Sequence, residues 1–292
     1  MSHPTESGST DAALPRRDSL GYVAKGPADG HPVVLLHSLG TDHTIWEPCL
    51  DLLEQRWLIA PDTAGHGDST GQLDGPVTVQ RWANDLHALL EELDAPPAVL
   101  VGVSMGGMQA VAYAAAHPDR VRGLVVADSF VKLDPTVART KITQQEQAVD
   151  AGSMAAVADE YVAATFDPPY PPGAELVRKA IARLRPEEYL ATVRATFGVD
   201  IESLLPQVDV PTLVLWGEQD TKAPRSLSED IAAGIRGSRL RTIPRAGHLS
   251  NIDNPEAFAR EVLDFLGHLD TTARDEQDAD RHLKGASHGQ HT

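Results

Sequence analysis

The stretch Ala98-Val99-Leu100-Val101-Gly102-Val103-Ser104-Met105-Gly106-Gly107 decides the fold. An apolar run ends at Val101, the pattern G-x-S-x-G follows, and a small-residue helical pattern opens at Met105 and stops at Pro118. A strand that passes into a helix within so few residues predicts a sharp elbow with the serine at its tip. Such a turn forces the serine into a strained backbone conformation. Side chains at Gly102, Gly106 or Gly107 would collide with neighbouring elements. The strain lifts the Ser104 hydroxyl clear of the sheet edge, at a helix N-terminus that favours a developing negative charge. Ser104 is therefore the candidate nucleophile.

Working outward, the same kind of buried-strand run recurs at Pro32–Leu36, Trp57–Ala60, Gly123–Ala127 and Thr212–Trp216. Runs that are apolar on both faces suit a parallel sheet covered by helices. Helical spacing separates them: Val79–Leu93 carries Trp82, Leu86, Leu89, Leu90 and Leu93 at three- and four-residue steps, and Met105–His117 is rich in alanine. The alternation predicts the α/β class, a doubly wound and mostly parallel sheet. It lapses between residues 131 and 205. There helical segments at Thr143–Ala164 and Ala174–Arg185 flank the Pro-rich turn Asp167–Pro172, and no strand-like run occurs. This reads as a helical cap (131–205) inserted into a core formed by 18–130 and 206–268. The ends, 1–17 and 269–292, have little to bury and read as disordered. The tail histidines His282, His288 and His291 lack the spacing of a metal site.

A serine hydroxyl needs a base. His248 is the best candidate, in a loop after the strand-like Arg241-Thr242-Ile243, because open α/β sheets place their sites at the carboxyl ends of strands. His87 and His117 fall in or at the end of helices, and His66, in Ala64-Gly65-His66-Gly67, reads as shaping a tight loop. The base needs an acid to fix its tautomer. Asp220 lies just past a strand in the order Ser, Asp, His expected of such an elbow. Asp128, at the end of the preceding strand, is the rival, and Glu218 a weaker third. The oxyanion hole needs two backbone donors. These fall by position on the amides of Met105 and Leu39, the latter in the loop His37-Ser38-Leu39-Gly40. Trp46 and Phe130 are expected in the apolar wall of the pocket.

With 292 residues, 41% hydrophobic and 23% charged, the chain is long enough for a sizeable core plus one insertion. A net charge of −17 argues against nucleic acid and anionic membranes as partners. The single cysteine, Cys49, permits no intramolecular disulfide and no Cys-rich metal site, and reads as a buried apolar residue. The N-terminus lacks the apolar stretch of a secretory signal, so a cytoplasmic location is expected. No metal or organic cofactor is implied. A small molecule with an ester bond is the expected partner.

With these residues placed, the chain resembles the 3-oxoadipate enol-lactonases of the α/β-hydrolase superfamily over about residues 20–268. The runs that carry the likeness are Leu36-His37-Ser38-Leu39-Gly40-Thr41-Asp42, Gly102-Val103-Ser104-Met105-Gly106-Gly107-Met108 and Ala246-Gly247-His248-Leu249-Ser250-Asn251-Ile252. The resemblance implies hydrolysis of an enol-lactone through an acyl-enzyme. A carboxylesterase uses the same triad, and a binding protein on this fold is a third reading. In the loop Asp62–Gly67 the family usually has Arg where this chain has Ala64. An enol-lactone of this kind carries a carboxylate, so a cation is expected near Ser104. The cap arginines Arg139, Arg178, Arg183 and Arg194 are the candidates.

Overall fold

The computed structural model describes residues 20–71, 73 and 75–288. The expected disorder at 1–17 lies outside these residues. A seven-stranded sheet forms the centre, in the order β1-β3-β2-β4-β5-β6-β7. Its strands are β1 Tyr22–Lys25, β2 Val33–Leu36, β3 Leu58–Pro61, β4 Ala98–Val103, β5 Val121–Ala127, β6 Thr212–Gly217 and β7 Arg239–Ile243. Only β1 runs antiparallel, against β3; every other pairing is parallel. The chain order reverses direction across the sheet between β2 and β4, which opens a crevice at their carboxyl ends.

Helices α1 (Glu47–Leu53), α2 (Val79–Glu92) and α3 (Met105–Ala116) lie between the early strands. Between β5 and β6 the stretch expected as a cap holds α4 (Pro135–Ala151), α5 (Met154–Thr165), α6 (Ala174–Ala182) and α7 (Pro186–Phe197). The single helical run expected over Thr143–Ala164 is two helices. Gly152 takes an extended conformation, and the Ser153 side chain accepts from the Ala156 N–H to cap the second. Beyond β6 come α8 (Arg225–Gly234), α9 (Ser250–Asp253) and α10 (Pro255–His288).

α10 corrects the expectation of a disordered tail from residue 269. The helix continues through His288, and Leu269 is buried against the sheet beside Gly123. Asp270 forms an ion pair with Arg56 at 2.7 Å and faces Arg122 at 3.6 Å. The charged composition hid a continuing apolar stripe, Val262, Leu266 and Leu269, at helical spacing. His282 and His288 fall in this helix, and His291 lies outside the described residues.

β4 and β5 are buried along nearly their whole length, as strands covered on both faces must be. One apolar cluster fills the side of the sheet that faces α1, α10 and the cap, and a second fills the side facing α2, α3 and α8. Rigid strands on both sides therefore fix the loops that follow β2, β4, β5, β6 and β7.

Candidate active site

Ser104 sits between β4 and α3 with φ +55° and ψ −116°, well outside the regions open to ordinary residues. Close packing demands the flanking glycines. A Cβ on Gly102 would lie 2.2 Å from the Gly106 carbonyl oxygen, and one on Gly106 would lie 2.1 Å from that of Leu36. The strained turn is clamped on both sides. The Ser104 N–H donates to the Ala127 carbonyl at 2.8 Å, and the Ser129 hydroxyl donates to the Ser104 carbonyl at 2.6 Å.

The loop after β7 brings His248 to the serine, with Nε2 3.0 Å from Oγ. On the far side of the ring, Nδ1 lies 2.9 Å from Asp220 Oδ2. The second Asp220 oxygen accepts the backbone N–H groups of Lys222 and Ala223 at 2.8 and 2.9 Å. Those two bonds point the carboxylate at the imidazole. The three groups form the continuous chain in which an acid orients a base and the base can take a hydroxyl proton.

Asp128, the rival acid, belongs to a different network. Oδ1 accepts the Gly217 N–H at 2.7 Å, and Oδ2 accepts both the N–H and the hydroxyl of Ser250 at 3.1 and 2.5 Å. Burial, reinforced by the nearby Asp220 charge, pushes its pKa well above the usual carboxylate range. Glu218 accepts the Arg245 N–H at 3.1 Å at the surface.

The loop after β2 is braced by two buried histidines. His66 Nε2 accepts the Gly40 N–H at 3.2 Å, and His37 Nε2 accepts the Thr63 N–H at 2.9 Å while its Nδ1 lies 2.8 Å from the Ser38 carbonyl. Burial holds His37 below its ordinary pKa and His66 at about 3, so both act as neutral rings. The N–H groups of Gly40 and Thr41 are thus engaged, Thr41's with the Ser38 carbonyl. Leu39, between them, lines the cleft beside Ser104. Met105 is the first residue of α3, so its N–H has no acceptor within the helix.

The cleft above Ser104 has a volume of about 500 Å³. Phe130 lines it, together with Tyr161, Tyr189 and Phe197. Trp46 does not. Its ring is fully buried on the other side of the loop, 5.9 Å from that of Phe258, where α1 meets α10. Nor does any of the four cap arginines line the cleft. Arg178 pairs with Asp159, Arg183 with Asp42 and Arg194 with Glu146, and Arg139 turns back to Thr136. Ala64 also lies elsewhere, packed with Leu20 and Leu89. The cations that sequence reasoning missed are two lysines, Lys141 of α4 and Lys222 just after Asp220, which both line the cleft. One signal for Lys222 was available: it stands two residues after the expected acid.

The model of the alpha/beta hydrolase family matches residues 33–261, more than half of the chain. The chain belongs to the alpha/beta hydrolase family. It is 27% identical over 248 residues to 3-oxoadipate enol-lactonase 2 of Acinetobacter baylyi, covering 84% of this chain and 91% of that one. It is 31% identical over 265 residues to a Caulobacter segnis protein assigned the name carbamate hydrolase RutD, covering 85% and 97%. Among solved structures, the enol-lactonase from Burkholderia xenovorans LB400 superposes with a TM-score of 0.77 at 30% identity, covering 85% of this chain and 96% of that one. No helix among the described residues is long and apolar enough to cross a membrane.

Proposed function

We propose that the protein is a serine-dependent hydrolase that opens a small lactone through an acyl-enzyme. The observation that carries the reading is the Ser104–His248–Asp220 chain, with links of 3.0 and 2.9 Å, at the floor of a cleft sized for a small molecule. Ser104 Oγ attacks the ring carbonyl as His248 Nε2 takes its proton. The tetrahedral oxyanion receives the N–H groups of Leu39 and Met105. Collapse breaks the ring C–O bond, and the imidazolium returns its proton to the departing oxygen. In an enol-lactone that oxygen becomes an enol, which ketonises while still tethered to the acyl group. Water, with His248 as base, then releases an oxo acid and restores Ser104.

The lactone preference rests on the His-Ser-Leu-Gly run and on relatives named as enol-lactonases. An acyclic ester or a carbamate would pass through the same steps, and relatives of the second kind are as similar in sequence. The intact hydrogen-bond chain speaks against a purely binding role. The test is a panel of small lactones, aryl esters and carbamates, with a fluorophosphonate label read by peptide mass. Labelling at Ser104 with the highest kcat/KM on an enol-lactone is the expected result. Labelling with an ester or carbamate ahead by tenfold or more moves the substrate class. No label at Ser104 overturns the reading.

A further inference from the structure

The cleft over Ser104 contains two ammonium groups with no carboxylate partner among the described residues. Lys141 stands over the Phe197 ring at 5.6 Å and Lys222 over the Tyr161 ring at 4.7 Å. Among the described residues neither has a carboxylate oxygen within 4 Å, whereas Arg178, Arg183 and Arg194 of the cap each pair with one. The net charge is −17 and five cations of the cap, Lys132, Arg178, Arg183, Arg185 and Arg194, sit on carboxylates, so two unpaired lysines in one half-buried cleft run against the composition. Desolvating an ammonium costs free energy unless something compensates it, and the aromatic faces supply only part of this.

We infer that Lys141 and Lys222 form an anion subsite that holds a carboxylate carried by the substrate at a distance from its scissile acyl group. This deepens the proposed hydrolase reading and rests on it for the word substrate. The two lysines come from different elements, Lys141 from α4 and Lys222 from the loop after β6. Lys141, Gln144, Gln145 and Ala148 share one face of α4 at three- and four-residue steps, and all four line the cleft. Gln145 is fixed because its Oε1 accepts the Tyr189 hydroxyl at 2.6 Å. The wall therefore presents an ammonium and amide groups, a donor set suited to a carboxylate. Lys222 is positioned from below, since its own N–H donates to the acid Asp220. An anion held there lies on the same loop that aims His248, so charge recognition and the catalytic chain share one support.

The electrostatics agree. Burial lowers the Lys141 pKa from its ordinary value. Burial and then repulsion from Lys141 lower Lys222 to about 8, against the opposing pull of Asp220 and Glu160. An anion between the lysines would offset both the burial and the repulsion. The other titratable groups of the cleft are Tyr161, whose burial pushes it up to about 12, Tyr189, His248 and the exposed Glu160 at the rim. Of these only Glu160 adds negative charge against the ligand, joined by Asp220 beneath the cleft. Lys222 is charged below about pH 8; above it Lys222 loses its proton and its hold on an anion weakens.

The experiment has two arms. In the first, kcat/KM is compared for the mono-4-nitrophenyl ester of glutaric acid and for the same compound capped as a methyl ester, in wild type, Lys141→Met and Lys222→Met. The anionic-to-neutral ratio should fall by about tenfold or more in each variant, the loss expected when a charge-assisted contact is removed, and Lys222→Arg should recover most of it. In the second, adipate binding is measured by calorimetry on the same proteins at pH 7 and pH 9. Binding should weaken in both variants, and in wild type at pH 9. Adipate binding that is absent from wild type or unchanged in both variants overturns the subsite, as does a ratio within about twofold of wild type in both. If wild type binds adipate through the lysines but hydrolyses neither ester, the hydrolase reading fails and the anion site stands.

Discussion

Asp128 Oδ2 holds the Ser250 hydroxyl at 2.5 Å, two residues beyond His248, while Asp128 Oδ1 holds the Gly217 N–H at the end of β6. One buried carboxyl thereby ties the strand that leads to Asp220 to the loop that carries His248. Asp220 and Asp128 follow neighbouring strands, and each could have been read as the acid. The structure separates the tasks: Asp220 touches the imidazole, and Asp128 fixes the frame around both.

This separation predicts different responses to the same isosteric change. Asp220→Asn should leave His248 in the wrong tautomer and cost roughly 10⁴-fold in kcat. Asp128→Asn replaces one acceptor by a donor facing the Ser250 or Gly217 N–H. It should lower stability by about 1–3 kcal/mol, seen as a lower urea midpoint, with a much smaller loss of kcat. A large kcat loss in Asp128→Asn at unchanged stability would transfer the acid role to Asp128.

Ser104→Ala should reduce hydrolysis by several orders of magnitude and abolish fluorophosphonate labelling, with the fold retained. Removing the hydroxyl does not touch the backbone bonds that hold the elbow, the Ser104 N–H to Ala127 and the Ser129 hydroxyl to the Ser104 carbonyl. The thermal midpoint should therefore stay close to wild type. Residual activity near the wild-type level would end the serine mechanism.

The site was legible in sequence where local chemistry dictates it. The Ser104 elbow announces itself because only glycine fits beside it, and chain order then points to Asp220 and His248. Pocket walls were not legible, because they depend on long-range packing. Trp46 ends the Asp42-capped turn His43–Trp46, and its ring packs onto Phe258 of α10, away from the cleft. An aromatic residue near a catalytic loop in sequence can equally face the core. The cations of the cleft were not legible for a related reason. Arginine suits a carboxylate by its bidentate fork, yet three of the four cap arginines are taken by carboxylates of the protein, and the lysines reach the cleft from α4 and from the Asp220 loop. In the fold, the five buried runs were clear from their apolar pattern. β1, at Tyr22–Lys25, is a half-exposed edge strand whose alternation is too short to stand out.

Cys49 should be inert in the native protein. It is fully buried, and burial pushes its thiol up to about 12. Iodoacetamide at pH 8 should leave the folded protein unmodified and alkylate it stoichiometrically in guanidinium, because the thiolate is the reactive form. Rapid alkylation of folded protein, with loss of activity, would place Cys49 near the surface of the site.

The extension of α10 past residue 268 should contribute to stability. Leu269→Ala should cost about 2–5 kcal/mol, as for other large-to-small changes of a buried leucine. Asp270→Asn should cost less, roughly 1 kcal/mol or below, since its pairs with Arg56 and Arg122 are partly exposed. Urea midpoints of the two variants test the order. A solvated tail would make both silent.

The histidine bracing the Leu39 loop should make the protein acid-sensitive. His66 has a pKa held at about 3 by burial and then by neighbouring His37, and its neutral Nε2 accepts the Gly40 N–H. Its folded pKa lies below the ordinary histidine value of about 6.5. The unfolded chain therefore takes up a proton as pH falls through about 6.5, whereas the folded protein resists until near 3. Stability from this group is present above about pH 6.5 and is lost progressively below it, by about 2 kcal/mol between pH 7 and pH 5. Asp62, whose pKa is lowered in the fold by His43 and by backbone donors against its burial, loses stability with falling pH in the same direction but in the carboxylate range, below this window. Asp128, raised well above the carboxylate range by burial, acts in the opposite sense and overlaps this window, so the histidine is read from the difference between wild type and a His66 variant. His66→Gln keeps an acceptor for Gly40 and removes the titration. Its urea midpoint should fall less than that of wild type between pH 7 and pH 5. An equal fall in both proteins would show that the acid limb belongs to other groups, His37 first among them.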